Sequence, residues 1–134
     1  MEILSFTIDD KLFGVNLSKV QEIVEGVRIT PVPLTPEYIE GVMNLRGDTV
    51  SIFDLKKKVG FKGRATSPDI ILCNIKDSLV GLRPDRILTI HEFLPDALKN
   101  VPSSLEEKIE SKYIKGIVQI EEDKYIIIDV DELI

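Results

Sequence analysis

Eighteen residues of this chain recur without a gap, and that repeat limits what the chain can fold into. Tyr38–Leu55 reads YIEGVMNLRGDTVSIFDL, and Tyr113–Val130 reads YIKGIVQIEEDKYIIIDV, displaced by 75 positions. Tyr38/Tyr113, Ile39/Ile114, Gly41/Gly116, Asp48/Asp123, Ile52/Ile127 and Asp54/Asp129 are identical. Each copy holds two apolar runs around a tight turn, which predicts a hairpin. The turn is what differs: Arg46-Gly47 in the first copy, Glu121-Glu122 in the second.

A second repeat strengthens the first. Ile8–Ile23, IDDKLFGVNLSKVQEI, aligns without a gap to Ile75–Ile90, IKDSLVGLRPDRILTI, displaced by 67. Ile8/Ile75, Asp10/Asp77, Leu12/Leu79, Gly14/Gly81 and Ile23/Ile90 match, while Val15/Leu82 and Val20/Ile87 stay apolar. Two repeats in the same order predict two related β units, near residues 4–60 and 70–130, within one domain spanning 1–134.

The remaining segments fit an all-β chain. Met1–Ile8 and Leu12–Leu17 read as strands around a turn at Asp9-Asp10-Lys11, and Leu17–Ile23 holds a short helical or irregular turn before an extended stretch. Ile29–Pro36 is a covering loop, because its three prolines oppose a helix or a central strand. Glu37-Tyr38-Ile39 is expected as one helical turn, and Asp54–Gly60 as a short turn or helix. Phe61–Pro68 is polar and reads as a mobile boundary between half-domains. Asp69–Ile75 and Leu79–Leu82 are strands. Phe93–Tyr113 is a long loop in which Ser103 or Ser104 caps a helical turn. Asp131–Ile134 is a brief tail. Short strands with frequent turns favour barrels, whose closure removes exposed edges, and two small barrels need a shared apolar seam.

Composition narrows the function. At 43% hydrophobic and 30% charged, the chain suits a folded protein. A net charge of -6 opposes broad nucleic-acid binding, which needs a basic surface. No stretch reaches the apolar length of a membrane span, and the N-terminus lacks a secretory leader. The single Cys73 fits a reducing compartment, with cytoplasm as the default.

Catalytic chemistry finds little support. His91, the one histidine, has no ligand or nucleophile pattern around it and reads as structural. Cys73, in the apolar run DIILCNI, reads as a buried small hydrophobe. The repeat-related Asp54 and Asp129 favour structural hydrogen bonding. Walker, Rossmann and zinc patterns are absent, so no cofactor or metal is expected. Lys56-Lys57-Lys58 with Lys62 and Arg64 reads as a solvated basic face, or as a surface for an acidic protein partner. Glu22 and Arg46 can meet across the first unit, as a structural ion pair, a partner-facing group, or both.

At VQEI, GVMNLRGDTVSIFDL and VGLRPDRI, extended by YIKGIVQIEEDKYIIIDV, the chain closely resembles the CheW family of chemotaxis coupling proteins. The resemblance covers about Ile3–Leu133. It implies two SH3-like five-stranded β-barrel subdomains sharing a hydrophobic core. It also implies a non-enzymatic adaptor between the cytoplasmic tips of chemoreceptors and the regulatory domain of the chemotaxis histidine kinase, held near the membrane only through its partners. By match to the family, Glu22 and Arg46 are coupling residues. Val20, Ile87 and Ile90 belong to a receptor groove, and Gly41 supports close packing. A kinase-facing edge is expected near Val27, Ile29 and Val32. Ser51 and Arg83-Pro84 depart from the family pattern, with Arg83 adding a charge near the groove. The alternatives are a β-barrel module of another signalling complex and, more remotely, an enzyme assembled by long-range folding.

Overall fold

The computed structural model describes residues 1–101 and 109–134. The proposed cap at Ser103 or Ser104 lies outside the described residues. Among the described residues, eleven strands form two sheets. β1 (Glu2–Ile8), β2 (Lys11–Asn16), β3 (Val20–Glu25), β4 (Ile39–Leu45) and β5 (Asp48–Asp54) lead into a one-turn helix, α1 (Leu55–Lys58). β6 (Asp69–Ile75), β7 (Ser78–Arg83), β8 (Arg86–Glu92), β9 (Leu98–Lys99), β10 (Ile114–Ile120) and β11 (Asp123–Ile128) follow. The first sheet runs β8-β1-β2-β11-β10-β9 and the second β3-β6-β7-β5-β4. The all-β expectation holds. The first sheet has six strands because the two-residue β9 adds to its edge.

The repeats occupy matching places, but the sheets are not the segments 4–60 and 70–130. β1-β2 and β6-β7 are repeat counterparts, as are β3 and β8, and β4-β5 and β10-β11. Each sheet takes its first hairpin from one repeat and its remaining strands from the other. Pairing between the units makes the exchange: β2 lies parallel to β11 and β7 to β5, while β1 pairs antiparallel with β8 and β3 with β6. Pairing partners are set by packing between distant segments, to which a repeat along the chain is blind.

The exchange buries the inner strands β1, β6 and β11 on both faces, which explains their continuous apolar runs. One face feeds a core shared by the sheets. Leu4, Phe6, Ile8, Phe13, Val15, Ile126 and Ile128 come from the first sheet, and Phe53, Ile71, Cys73, Ile75, Val80 and Leu82 from the second. The opposite faces build two smaller cores. Ile3, Phe93, Val118, Tyr125 and Ile127 fill one, and Met43, Val50, Ile52, Ile70 and Leu72 the other. Each fully buried Leu or Ile contributes roughly 1.5–3 kcal/mol.

Gly14 and Gly81 show why the repeat keeps glycine. A Cβ on Gly14 would lie 2.6 Å from Ile3 Cδ1 and 3.3 Å from Ile127 Cδ1. One on Gly81 would meet Ile52 Cδ1 and lie 2.8 Å from Ile70 Cγ2. In each sheet two isoleucines close over the glycine and use the space a side chain would need.

Three loop expectations are corrected. Phe61–Pro68 is pinned: the Ala65 amide donates to Asp54 Oδ2 at 3.0 Å, the Ser67 amide donates to the Pro84 carbonyl at 3.0 Å, and Ser67 is buried. Both bonds are donated by backbone amides, which side-chain composition does not reveal. Glu37-Tyr38 is a simple turn closed by the Ile39 amide on the Pro36 carbonyl, with Ile39 already in β4. The tail is a 3-10 turn, Val130–Leu133, whose Val130 and Leu133 enter the shared core.

Candidate interaction surface

Two β-bulges aim the apolar residues of the proposed groove. β3 and β8 are hydrogen-bonded on one side only among the described residues. On β8, Ile87 faces Phe6 and Ile90 faces Leu4, so three steps along β8 match two along β1. A regular strand would send residues three apart to opposite faces. The extra residue returns Ile87 and Ile90 to one side, because directly paired residues share a face. Ser5 repairs the interrupted ladder: its hydroxyl donates to the Thr89 carbonyl at 2.8 Å and accepts from the Thr89 amide at 3.2 Å.

β3 repeats the device. Val20 faces Cys73, Glu22 faces Leu72 and Ile23 faces Ile71, with the register shift between Val20 and Glu22. Val20 and Ile23 therefore point to the side of their sheet that carries Cys73 and Ile71 into the shared core. Val20 and Ile87 are partly buried against that core, while Ile23 and Ile90 remain 42% and 51% exposed. The edges of both sheets thus extend the shared core to the surface. Ile23 belongs to this surface but was not singled out from sequence. For Ile23 the signal was available, since it is the identical repeat counterpart of Ile90.

Glu22 points to the other side of β3, and the Arg46 guanidinium donates to its Oε1. Arg46 heads the β4–β5 turn with φ 49°, and Gly47 follows at φ 90°. The Gly47 amide donates to Asn44 Oδ1 at 3.1 Å, which steadies the turn. β3 and β4 are opposite edges of the second sheet, so the pair links its two ends.

The loop between β3 and β4 runs back along β4 through reciprocal Thr30–Val42 backbone bonds of 2.8 and 2.9 Å. Gly41 permits that approach, because a Cβ there would strike the Thr30 carbonyl. Val27 and Ile29 pack on the second small core, leaving Val32 as the exposed member of that trio. Leu34, at the tip of the proline loop, is fully exposed.

Lys56, Lys57 and Lys58 depart from the solvated face expected of the basic segment, while Lys62 and Arg64 are exposed as expected. Lys56 is held 3.2 Å from Asp85, with side chains only 15% and 13% exposed. The Asp85 hydrogen bond and charge, aided by Asp9 and Asp10, raise the Lys56 pKa despite desolvation. Lys58 stands 3.9 Å over the Tyr38 ring, and Lys57 lies 3.6 Å from Glu37. Arg83 adds no free charge: its Nε and Nη2 reach the Glu40 carboxylate at 2.8 and 2.9 Å, and Nη1 donates to the Ser67 carbonyl. Long-range pairs of this kind leave no mark in local sequence.

The residues weighed for catalysis have structural roles. Asp54 accepts from the Lys57 and Ala65 amides. The repeat-related Asp129 accepts from the Asp131 amide. Burial pushes the Cys73 thiol up to about 12. His91 packs against Tyr125, with ring centroids 4.8 Å apart. Tyr125 is itself raised by burial and by the nearby Asp123 and Glu121.

Comparison with known proteins agrees with this architecture. A family model described as a CheW-like domain matches residues 2–134. The chemotaxis protein CheW of Thermotoga maritima is 31% identical, over 99% of this chain and 87% of that protein. The CheW of Treponema pallidum is 26% identical, over 98% and 81%. The crystal structure of the scaffolding protein TtCheW from Thermoanaerobacter tengcongensis superposes with a TM-score of 0.88 and 31% identity, covering 98% of this chain and 90% of that one.

Proposed function

The chain belongs to the CheW-like family, and from that premise we propose that it bridges the cytoplasmic tips of chemoreceptors to the regulatory domain of the chemotaxis histidine kinase. It is a scaffold of chemotaxis signalling and not an enzyme. No bond is made or broken; the work is done by contact free energy. The apolar edge at Val20, Ile23, Ile87 and Ile90 supplies a receptor-facing surface, and the Glu22–Arg46 pair sets its register and polarity. The β3–β4 loop, with Val32 exposed and Val27 and Ile29 supporting it, supplies the kinase-facing edge. Association with the membrane is indirect, through the receptors.

The observation that carries this reading is the doubled bulge. Both edge strands turn an apolar pair toward one side and leave its outer member exposed, which is how a surface meant for a protein partner differs from a finished core. Signal transfer then requires different contact free energies for the two receptor states, since equal binding shifts nothing.

Titration calorimetry of the purified chain against the kinase regulatory domain tests the kinase half. The reading expects saturable binding by the wild type. Arg46→Ala then assigns Arg46: weakened binding puts it at the kinase contact, and unchanged binding puts it at receptor coupling. Absence of wild-type binding, with both proteins folded and matched kinase domains tried, favours a β-barrel module of another signalling complex.

A further inference from the structure

The two places where the chain crosses between sheets are repeat counterparts with different construction. Asn16-Leu17-Ser18 takes the chain from β2 to β3, and Arg83-Pro84-Asp85 takes it from β7 to β8. At the first crossing, Asn16 Oδ1 accepts from the Ser18 amide at 3.0 Å, a local bond that ties no other segment to the crossing. Beside it Lys19 approaches Asp131 at 3.4 Å, with both side chains about two-fifths exposed.

The second crossing is a node. Asp85 Oδ2 accepts from the Asp9 amide at 2.8 Å and lies 3.2 Å from Lys56 Nζ. Its Oδ1 accepts from the Thr66 amide at 3.2 Å. Its own amide donates to the Thr7 carbonyl at 2.9 Å, and its carbonyl accepts from Thr66 Oγ1 at 3.1 Å. One residue back, the Pro84 carbonyl accepts from the Ser67 amide, and Arg83 forks onto Glu40 while reaching the Ser67 carbonyl. These partners belong to both sheets: Thr7 and Asp9 to the β1–β2 hairpin, Glu40 to β4, Lys56 to α1 after β5, and Thr66 and Ser67 to the approach to β6. A carboxylate with backbone amides and an ammonium aimed at it is a directional anchor, and the Asp85 and Lys56 side chains are only 13% and 15% exposed.

We propose that the Asp85 node is the fixed pivot of the molecule, a polar clamp that locks the two sheets at one relative setting and confines compliance to the crossing at Asn16–Lys19. The inference concerns the mechanics of the fold and stands whether or not the partner assignments above hold. Shared apolar packing alone gives cohesion without direction, whereas hydrogen bonds to a single carboxylate define an angle.

The test is NMR on the whole chain. Residual dipolar couplings of the wild type should fit one alignment tensor for both sheets. Asp85→Asn, which keeps the shape and removes the charge, should require two tensors. It should also speed exchange of the Asp9 and Thr66 amides by about tenfold or more, leaving Val118 and Met43 within about twofold. Lys19→Met should retain one tensor. The proposal is overturned if Asp85→Asn still fits one tensor, if Lys19→Met loosens the sheets equally, or if exchange rises as much at Val118 and Met43, which would make the node a general stabiliser. Should Asp85→Asn fail to fold, Lys56→Met carries the same expectations.

Discussion

Arg46 and Glu22 are paired although the strands that carry them lie at opposite edges of one sheet. The contact exists only because the second sheet curls until its ends meet. Arg46 is 65% and Glu22 34% exposed in their side chains, so water screens the pair and its worth to stability is about 0–1 kcal/mol. Its value lies in orientation. Arg46→Glu, which installs the residue that the second repeat carries, should shift the urea midpoint very little. It should abolish receptor-dependent kinase activation in a reconstituted assay, and Glu22→Arg in the same chain should restore part of that activation. Wild-type activation by the single variant would remove Arg46 from coupling.

Ile87 and Ile90 share a face but not an environment. Ile90→Asp should weaken binding to a receptor cytoplasmic fragment about tenfold or more while stability stays within about 1 kcal/mol, since this side chain is half exposed. Ile87→Asp should weaken binding and also destabilise the fold by several times as much, because it puts a charge against the shared core. Receptor affinity unchanged in both would take β8 out of the interface.

Gly81→Ala should cost about 1–3 kcal/mol by overpacking, read from urea denaturation. Ile52→Val removes the Cδ1 atom that the new methyl group meets, so the double variant should recover part of the loss. Purely additive losses would mean that the conflict lies elsewhere.

Lys56 has a raised pKa, first from its hydrogen bond to Asp85. The stability it contributes is therefore complete below its unfolded value, 10.5, and is lost as pH rises through the higher folded value. A carbon-detected titration of Lys56 Cε should place its midpoint above 10.5 in the wild type and lower in Asp85→Asn. Equal midpoints would dissolve the pair.

Cys73 is fully buried, and its thiol is pushed up to about 12. At pH 8 it should resist a thiol-modifying disulfide reagent in the native state and react at once in denaturant. Fast native labelling would show that the shared core opens readily.

Much of this was legible before folding was considered. The two offset repeats, with Gly14 opposite Gly81 in the alignment, and the short strands with frequent turns predicted paired β units around a shared apolar seam. The pairing of Glu22 with Arg46 was foreseen as an option because both fall within the first unit, Arg46 at its altered hairpin turn. The reading erred where polar residues were taken as solvated. Lys56, Arg83 and Phe61–Pro68 look like surface in one dimension, but each meets a partner distant in sequence.

The sequence by itself determined that the chain is all-β and internally repeated, because side-chain periodicity, turn residues and repeated glycines act within a few residues. Tertiary structure alone decided that the sheets exchange halves, that bulges turn Ile87 with Ile90 and Val20 with Ile23 to one side, and that Asp85 holds the second crossing. Those outcomes rest on hydrogen bonds and packing between segments far apart along the chain, where local propensity has no reach.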